Sequence, residues 1–169
     1  GEPIDRDGRW AARGTFSESL LAALLDEPYL AQPPPKSTGR EMFNTEWLRR
    51  RLSAQSVLGH LGAPQDVQAT LTRFTARTIG DAIAHHCRDA ADVIVCGGGA
   101  HNWTLMGMLA EECGGRPVRS SADLGIAPEL VEPLAFAWLA YAHVNRLPGN
   151  LPDVTGARGA RTLGALYPR

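Results

Sequence analysis

The feature of this sequence that most constrains its fold is a short apolar run followed by three glycines. Asp92-Val93-Ile94-Val95-Cys96 is rich in β-branched residues and leads directly into Gly97-Gly98-Gly99. This pattern is typical of a strand that is buried on both faces. Asn102 is a good N-cap for a helix over 103–113, and 117–120 can form a second strand. The segment therefore predicts a parallel, right-handed strand–helix–strand unit.

The rest of the chain has mainly helical periodicity. The predicted helices run from Ser17 as N-cap to about Leu25, over 42–52, from Gln65-Asp66 to His86, and from Pro133 to about Arg146, with a break at Gly59–Pro64. Along the longest of them, the stripe expected to be buried comprises Val67, Leu71, Phe74, Thr78, Ile79, Ala82, Ile83 and His86. Parallel sheets normally have more than two strands. We therefore expect a helix-rich α/β fold with a small parallel sheet, whose missing strands belong to sequence outside these 169 residues.

Composition argues against several classes of function. The 18 acidic and 17 basic residues leave a net charge of −1, so no broad electrostatic field is available to hold nucleic acid or anionic lipid. The sequence has no run of 18 apolar residues and no signal-peptide pattern, and its three cysteines lack metal-binding spacing. We therefore expect a cytoplasmic protein that binds neither nucleic acid nor membrane. Because the sequence opens with Gly1 in a turn-like octet, we also expect it to be truncated.

The glycine turn at 97–99 is the most informative candidate for chemistry. Glycines let the backbone approach a bound group closely, and a helix N-terminus offers N–H groups and partial positive charge to phosphate. A dinucleotide-binding fingerprint would need Gly in place of Asn102, with Asp123 as the acidic ribose partner. A third interpretation is a tight turn in which Asn102 only caps the helix. The histidines show no metal-binding spacing and no Gly-x-Ser-x-Gly motif occurs, so we predict no metal site and assign no catalytic residue.

Two further positions are candidates for binding. Lys36 is the only lysine among 17 basic residues, and the loop that it begins lacks the spacing of a Walker A motif. Its compact ammonium can serve a ligand, or it can be a single surface lysine. Glu132 precedes Pro133, which predicts a non-helical, N-cap-like position for the glutamate. There its carboxylate can bind a ligand hydroxyl or simply cap the helix.

Four blocks of the sequence together carry a family resemblance. They are Pro35 to Asn44, Val95 to Asn102, Glu132 to Ala140 and Leu147 to Ala157. In this order they resemble the C-terminal half of the anhydro-N-acetylmuramic acid kinase family. The resemblance implies an actin-like sugar-kinase fold of two ribonuclease-H-like lobes that close over ATP, with residues 1–169 as the C-terminal nucleotide-binding lobe. It also implies a bacterial, cytoplasmic enzyme of peptidoglycan recycling, which opens the anhydro bridge of 1,6-anhydro-N-acetylmuramic acid with water and phosphorylates the sugar.

The same resemblance assigns roles to individual residues. They are Gly97, Gly98, Gly99 and Asn102 for the nucleotide, Lys36, Ser37 and Arg40 for nucleotide or interlobe contact, and Glu132 for sugar hydroxyls. The implied ligands are ATP, Mg²⁺ that bridges its phosphates, and the anhydro amino sugar.

The resemblance places two parts of the catalytic machinery elsewhere. The family's catalytic aspartate, in an Asp-Thr-Gly-Pro-Gly-Asn motif, and its first phosphate loop do not occur in these 169 residues. We therefore expect the chain alone to be inactive. Two other hypotheses stay open, a dinucleotide-binding oxidoreductase fragment and a non-catalytic helical dimerisation module. A homodimer that covers the open sheet edge is a further expectation.

Overall fold

The computed structural model describes residues 2–57 and 62–167. The helices and strands are α1 Glu18–Leu25, α2 Thr45–Val57, α3 Pro64–His86, β1 Val93–Val95, α4 Trp103–Glu112, β2 Val118–Ser120, α5 Val131–Val144 and α6 Pro152–Thr155. Short 3₁₀ helices lie at Arg6–Gly8, Ala11–Arg13, Pro28–Ala31, Gly98–His101, Ser121–Leu124 and Pro128–Leu130. The predicted break at Gly59–Pro64 lies partly outside the described residues. None of the helices in the described ranges combines the length and the hydropathy that crossing a bilayer requires.

Side-chain caps determine where three of the helices begin. Ser17 caps α1 and Asn102 caps α4, each by accepting a hydrogen bond from the amide three residues further on, at 3.3 and 2.9 Å. Both caps are as predicted, and they satisfy amides that the first helical turn leaves unpaired. Asn44 accepts in the same way at 2.9 Å. As a result α2 begins at Thr45 rather than at residue 42 as predicted.

The two strands are parallel, with Val93 opposite Val118 and Val95 opposite Ser120. This confirms the predicted parallel pairing and the helix-rich α/β fold with a small sheet. However, β1 is half-buried, and the prediction of burial on both faces is wrong. Val93 and Val95 pack toward α3 and α4, whereas Ile94 points to the other face because side chains alternate along a strand. Within the described residues the sheet has two strands, and Ile94 on its second face is only half-buried.

The long helix α3 runs through both parts of the core. One cluster has Leu20, Leu24 and Trp47 at its centre, and the other has Ala76, Leu109 and Cys113. The buried residues of α3 are small: Ala69, Thr70, Thr72, Ala76 and Gly80. The predicted stripe is therefore only partly correct, since Val67, Leu71, Phe74 and Ile83 are half-buried and Ile79, Ala82 and His86 are exposed. The reason is the close approach of α4, because a Cβ on Gly80 would lie 2.7 Å from the Glu112 carbonyl oxygen.

The helix α5 begins at Val131, two residues before the predicted start. The 3₁₀ helix Pro128–Leu130 leads directly into it, and Leu130 already has helical angles of φ −90° and ψ −14°. The prediction that Glu132 takes a non-helical, N-cap-like position is therefore wrong, because Glu132 lies in the first turn of the helix. Pro133 is tolerated there because amides of the first turn have no partner within a helix.

Candidate functional site

The glycine turn at the end of β1 is fixed by the residues on either side of it. Gly97 has φ +72°, a left-handed conformation that favours glycine. Its amide donates a hydrogen bond to the carbonyl oxygen of Pro128 at 2.9 Å. A 3₁₀ turn, Gly98–His101, follows, and Asn102 then caps α4. Strand, glycines and helix N-terminus therefore follow one another in the predicted order.

The fold itself gives no reason for glycine at positions 98 and 99. A Cβ on Gly98 would meet no heavy atom within 4 Å, and one on Gly99 would meet only Leu105 Cδ2, at 3.6 Å. Neither glycine has a positive φ. Among the described residues, neither amide has a hydrogen-bond partner. The turn therefore leaves two unpaired amides next to open space in the described part of the chain, and such amides can bind the oxygen atoms of a phosphate group.

The N-terminal turn supports α4 in a way that the sequence analysis missed. Thr104 Oγ1 donates a hydrogen bond to the Gly8 carbonyl oxygen at 2.8 Å. A Cβ on Gly8 would collide with Asn102 Oδ1, the atom that caps the helix. Asp5 shapes this turn by accepting hydrogen bonds from two backbone amides at 2.8 and 3.0 Å. The sequence signals the turn through Asp and Gly, but it does not reveal which element the turn contacts.

An exposed pair of side chains lies beside the glycine turn. His101 Nε2 contacts the Glu129 carboxylate, which joins the Gly98–His101 turn to the 3₁₀ helix Pro128–Leu130. The pKa of Glu129 is lowered, first by a hydrogen bond from its own backbone amide and then by the hydrogen bond with His101. The pair therefore places a carboxylate and an imidazole at the edge of the turn.

The loop that begins at Lys36 is attached to a different part of the molecule. Lys36 Nζ donates hydrogen bonds to the carbonyl oxygens of Tyr29 and Leu30 at 3.2 and 2.8 Å, and it lies 4.9 Å from the centre of the Tyr29 ring. Ser37 and Arg40 are exposed. In the described part of the chain, no hydrogen bond or ion pair joins this loop to the glycine turn. The two predicted groups of nucleotide-binding residues are thus not in direct contact.

Next to this loop, an aromatic cluster lines a cavity of about 640 Å³. Trp47 packs edge-on against Phe43, with ring centres 5.0 Å apart, and Arg40 also lines the cavity. Trp47 Nε1 and an Arg51 guanidinium nitrogen both donate to Glu27 Oε2, at 2.8 and 3.0 Å. These hydrogen bonds, that of Trp47 above all, lower the pKa of Glu27, although burial acts in the opposite direction. The network holds α2 against the segment that follows α1.

Glu132 and Asp123 belong neither to the glycine turn nor to the Lys36 loop and its neighbouring aromatic cluster. Glu132 is exposed on α5, and within the described ranges its carboxylate makes no ion pair or hydrogen bond. Asp123, the acid that a dinucleotide site would require, accepts a hydrogen bond from the Ser120 amide at 3.1 Å and so caps the 3₁₀ helix Ser121–Leu124. Among the described residues, no group of three or more His, Cys, Asp or Glu is placed so that it could hold a metal ion.

Comparison with known proteins gives a consistent result over the whole chain. Residues 1–169 match the family model described as anhydro-N-acetylmuramic acid kinase. The chain is 53% identical over 169 residues to the anhydro-N-acetylmuramic acid kinase of Chromobacterium violaceum, covering 100% of this chain and 45% of that protein. Proteins with the same name from Burkholderia thailandensis and Bordetella petrii are each 55% identical to the chain. Each alignment includes 99% of this chain and 44% of the relative. The chain therefore spans less than half the length of these relatives.

Proposed function

The chain belongs to the anhydro-N-acetylmuramic acid kinase family, and on this premise we propose that it is the C-terminal nucleotide-binding lobe of a two-lobe, ATP-dependent sugar kinase. The observation that carries the proposal is the open glycine turn between β1 and α4. Gly98 and Gly99 present free amides there, and a Cβ on either glycine would meet no heavy atom of the described residues closer than 3.6 Å. The four sequence blocks quoted above support the C-terminal position and the ribonuclease-H-like architecture.

The chemistry of the turn suits a polyphosphate. Backbone amides at a helix N-terminus donate to phosphate oxygens, and the helix dipole favours their negative charge. Mg²⁺ would accompany the nucleotide and offset the negative charge of its phosphates. Asn102 keeps the first turn of α4 in place by capping it. In this proposal the chain supplies the nucleotide side of the active site.

We propose the following reaction for the complete enzyme. Water opens the anhydro bridge of 1,6-anhydro-N-acetylmuramic acid while ATP phosphorylates the sugar, which yields N-acetylmuramic acid 6-phosphate and ADP. Phosphoryl transfer depends on positioning and on electrostatic stabilisation around the whole phosphate chain. The base that activates the water and the first phosphate loop belong to the rest of the enzyme, so this chain alone is inactive. Its three cysteines are free thiols, which suits the reducing cytoplasm of a bacterium in which peptidoglycan is recycled.

The remaining predicted site residues have proposed roles consistent with their positions. Glu132, with a free carboxylate on α5, contacts hydroxyls of the sugar. Ser37 and Arg40 contact the nucleotide or the other lobe. Two of the three N–H donors of Lys36 attach its loop to the 3₁₀ helix Pro28–Ala31, which leaves one for a ligand.

A titration of the chain with ATP·Mg²⁺ and with NAD distinguishes the hypotheses. We expect ATP·Mg²⁺ to bind and, at 100 times its Kd, to stabilise the fold by about 2.7 kcal/mol. A preference for NAD would instead support the oxidoreductase fragment. The dimerisation module predicts no thermal shift with either nucleotide and self-association that grows with protein concentration. Isothermal titration, thermal unfolding and light scattering measure these three outcomes.

A further inference from the structure

The helix α5 exposes a large apolar surface. Leu134, Phe136, Trp138, Tyr141 and Val144 are between 52% and 73% exposed, and Ala142 is the buried residue of this helix. At 3.6 residues per turn, the exposed apolar side chains span an arc of roughly 200° around the helix axis. We call this surface the apolar arc.

The apolar arc contains no charged side chain. The acidic and basic residues of α5 are Glu132 and His143. Both project just outside the arc, next to Phe136, and His143 Nδ1 contacts the Leu163 carbonyl oxygen at 2.9 Å. A helix at a protein surface normally directs its charged residues to solvent and its apolar stripe to the core. An exposed helix surface that is apolar over more than half of its circumference is typical of a helix that is covered on most sides in a larger structure.

We propose that the apolar arc is the surface on which the remaining part of the longer family polypeptide packs, an inference that rests on the proposed function. The Chromobacterium violaceum relative has more than half of its length outside the match, since the chain covers 45% of it. A second copy that met the chain only through α5 would cover the surface less completely. Two helices related by a two-fold axis bury one stripe about 100° wide on each, which is half of the arc. A neighbouring part of the polypeptide with several helices and strands can cover the whole apolar arc.

The small sheet also indicates that the remaining part of the longer polypeptide packs against this chain. Of the residues described, only β1 and β2 form the sheet, and Ile94 on its second face is only half-buried. Parallel sheets are stable when both faces are covered and further strands extend them. A neighbouring body that contributes strands and helices satisfies the sheet and the apolar arc together.

Hydroxyl-radical footprinting tests the proposal on two proteins. One is the 169-residue chain, and the other is the same chain joined, in the relative's own order, to the part of the Chromobacterium violaceum relative that it does not match. We expect Phe136, Trp138 and Tyr141 to be modified about fivefold more slowly in the joined polypeptide, because modification follows exposed area. Trp103, which is 75% exposed on α4, is the internal control and should keep its rate.

Two results would overturn the proposal. One is an unchanged rate for the three α5 residues in a folded joined polypeptide. The other is protection of the same residues in the 169-residue chain, increasing with concentration and accompanied by a dimer in sedimentation, because a second copy would then cover the arc. If the first joined polypeptide does not fold, the Burkholderia thailandensis relative supplies the missing part. A kinase assay on the joined polypeptide is a separate readout, since protection without activity contradicts the function alone, and activity without protection contradicts the packing surface alone.

Discussion

At the scale of single residues, the glycine turn contains two kinds of glycine. Gly97 has φ +72° and needs the conformational freedom of glycine in order to follow β1. Gly98 and Gly99 have neither a positive φ nor a neighbour with which a methyl group would collide. The fold does not require glycine at these two positions. A ligand that approaches the backbone closely is the physical reason that we propose for them.

The substitution Gly98→Ala separates binding from folding. The methyl group has open space, so we expect the free energy of unfolding to stay the same or rise by up to about 1 kcal/mol. ATP affinity should fall by about tenfold or more, because the methyl group displaces a phosphate from amides that donate to it. Isothermal titration and thermal unfolding measure the two effects. Gly107→Ala is the matched control, because Gly107 also has open space around it within α4. This substitution should leave ATP affinity unchanged. Equal ATP affinity in both variants would contradict the assignment of Gly98 to the nucleotide site.

Glu27 provides a prediction about pH. Its pKa is lowered from about 4.5 by Trp47 and Arg51, so its ionised form stabilises the fold above that value, and the stabilisation is lost as the pH falls through the lowered pKa. Glu27→Gln should therefore reduce the free energy of unfolding by about 1–2 kcal/mol at pH 7. The difference should shrink and disappear as the pH falls through the lowered pKa of Glu27. Denaturant unfolding over a series of pH values measures it.

A second glutamate provides the control for this experiment. Glu46 also pairs with an arginine, Arg49, at 2.6 Å, but both side chains are more than 60% exposed. Glu46→Gln should change stability by less than about 1 kcal/mol at any of these pH values. If the two variants lose equal stability at pH 7, then the half-buried hydrogen bonds of Glu27 with Trp47 and Arg51 contribute no more than the exposed ion pair of Glu46.

At the scale of elements, the residues at the contact between α3 and α4 determine how closely these two helices can pack in the core. Gly80 lies on α3 where a Cβ would be 2.7 Å from the Glu112 carbonyl oxygen and 2.8 Å from the Glu112 Cβ. Because these atoms belong to the backbone and its first side-chain carbon, they cannot move without moving α4. The small residues of α3 therefore allow the two helices to approach each other closely.

Gly80→Ala should destabilise the fold by about 1–3 kcal/mol, although alanine is the better helix former. The same change at Gly107, in the middle of α4, meets no atom within 4 Å and should stabilise the fold by up to about 1 kcal/mol. Chemical denaturation of the two variants gives the comparison. A Gly80→Ala variant as stable as Gly107→Ala would show that the two helices are not in close contact in solution.

The same elements show how far the sequence predicts the structure. The starts of α1 and α4 follow from the capping side chains of Ser17 and Asn102, because capping is local. The start of α5 does not follow, because a 3₁₀ helix leads into Val131 and makes Glu132 helical despite Pro133. A proline in the sequence indicates a helix boundary, but it does not determine on which side of the proline the first helical turn lies.

Contacts between distant elements are the part that the sequence could not provide. Periodicity predicts a stripe of large residues on α3, yet the closest packing is at small residues such as Gly80, where the position of α4 decides what fits. For the same reason the contact of Gly8 with Asn102 could not be predicted, since the two residues are far apart in the chain. At the glycine turn the order of elements was predictable, while the open space around Gly98 required the structure.

At the scale of the whole molecule, the proposed function assigns one side of the active site to this chain and the other side to the rest of the enzyme. The glycine turn and α4 offer amides to phosphate, but the family's Asp-Thr-Gly-Pro-Gly-Asn motif does not occur in the 169 residues. A general base contributes a factor of about 10² to 10⁴ to a reaction of this kind. Binding of ATP and transfer of its phosphoryl group should therefore be separable in this protein.

Complementation tests that separation. The 169-residue chain, incubated with ATP·Mg²⁺ and 1,6-anhydro-N-acetylmuramic acid, should form no phosphorylated sugar above background. Co-expression with the unmatched part of the Chromobacterium violaceum relative should raise the rate by about 10²-fold or more, because the base then joins the nucleotide. The control is the same part with asparagine in place of the motif aspartate, which should bind the chain and remain inactive. If the chain alone forms phosphorylated sugar, the division of the active site is contradicted. If the two parts form a stable complex that binds ATP but makes no product, the kinase assignment is contradicted, since every group that the reaction needs would then be present.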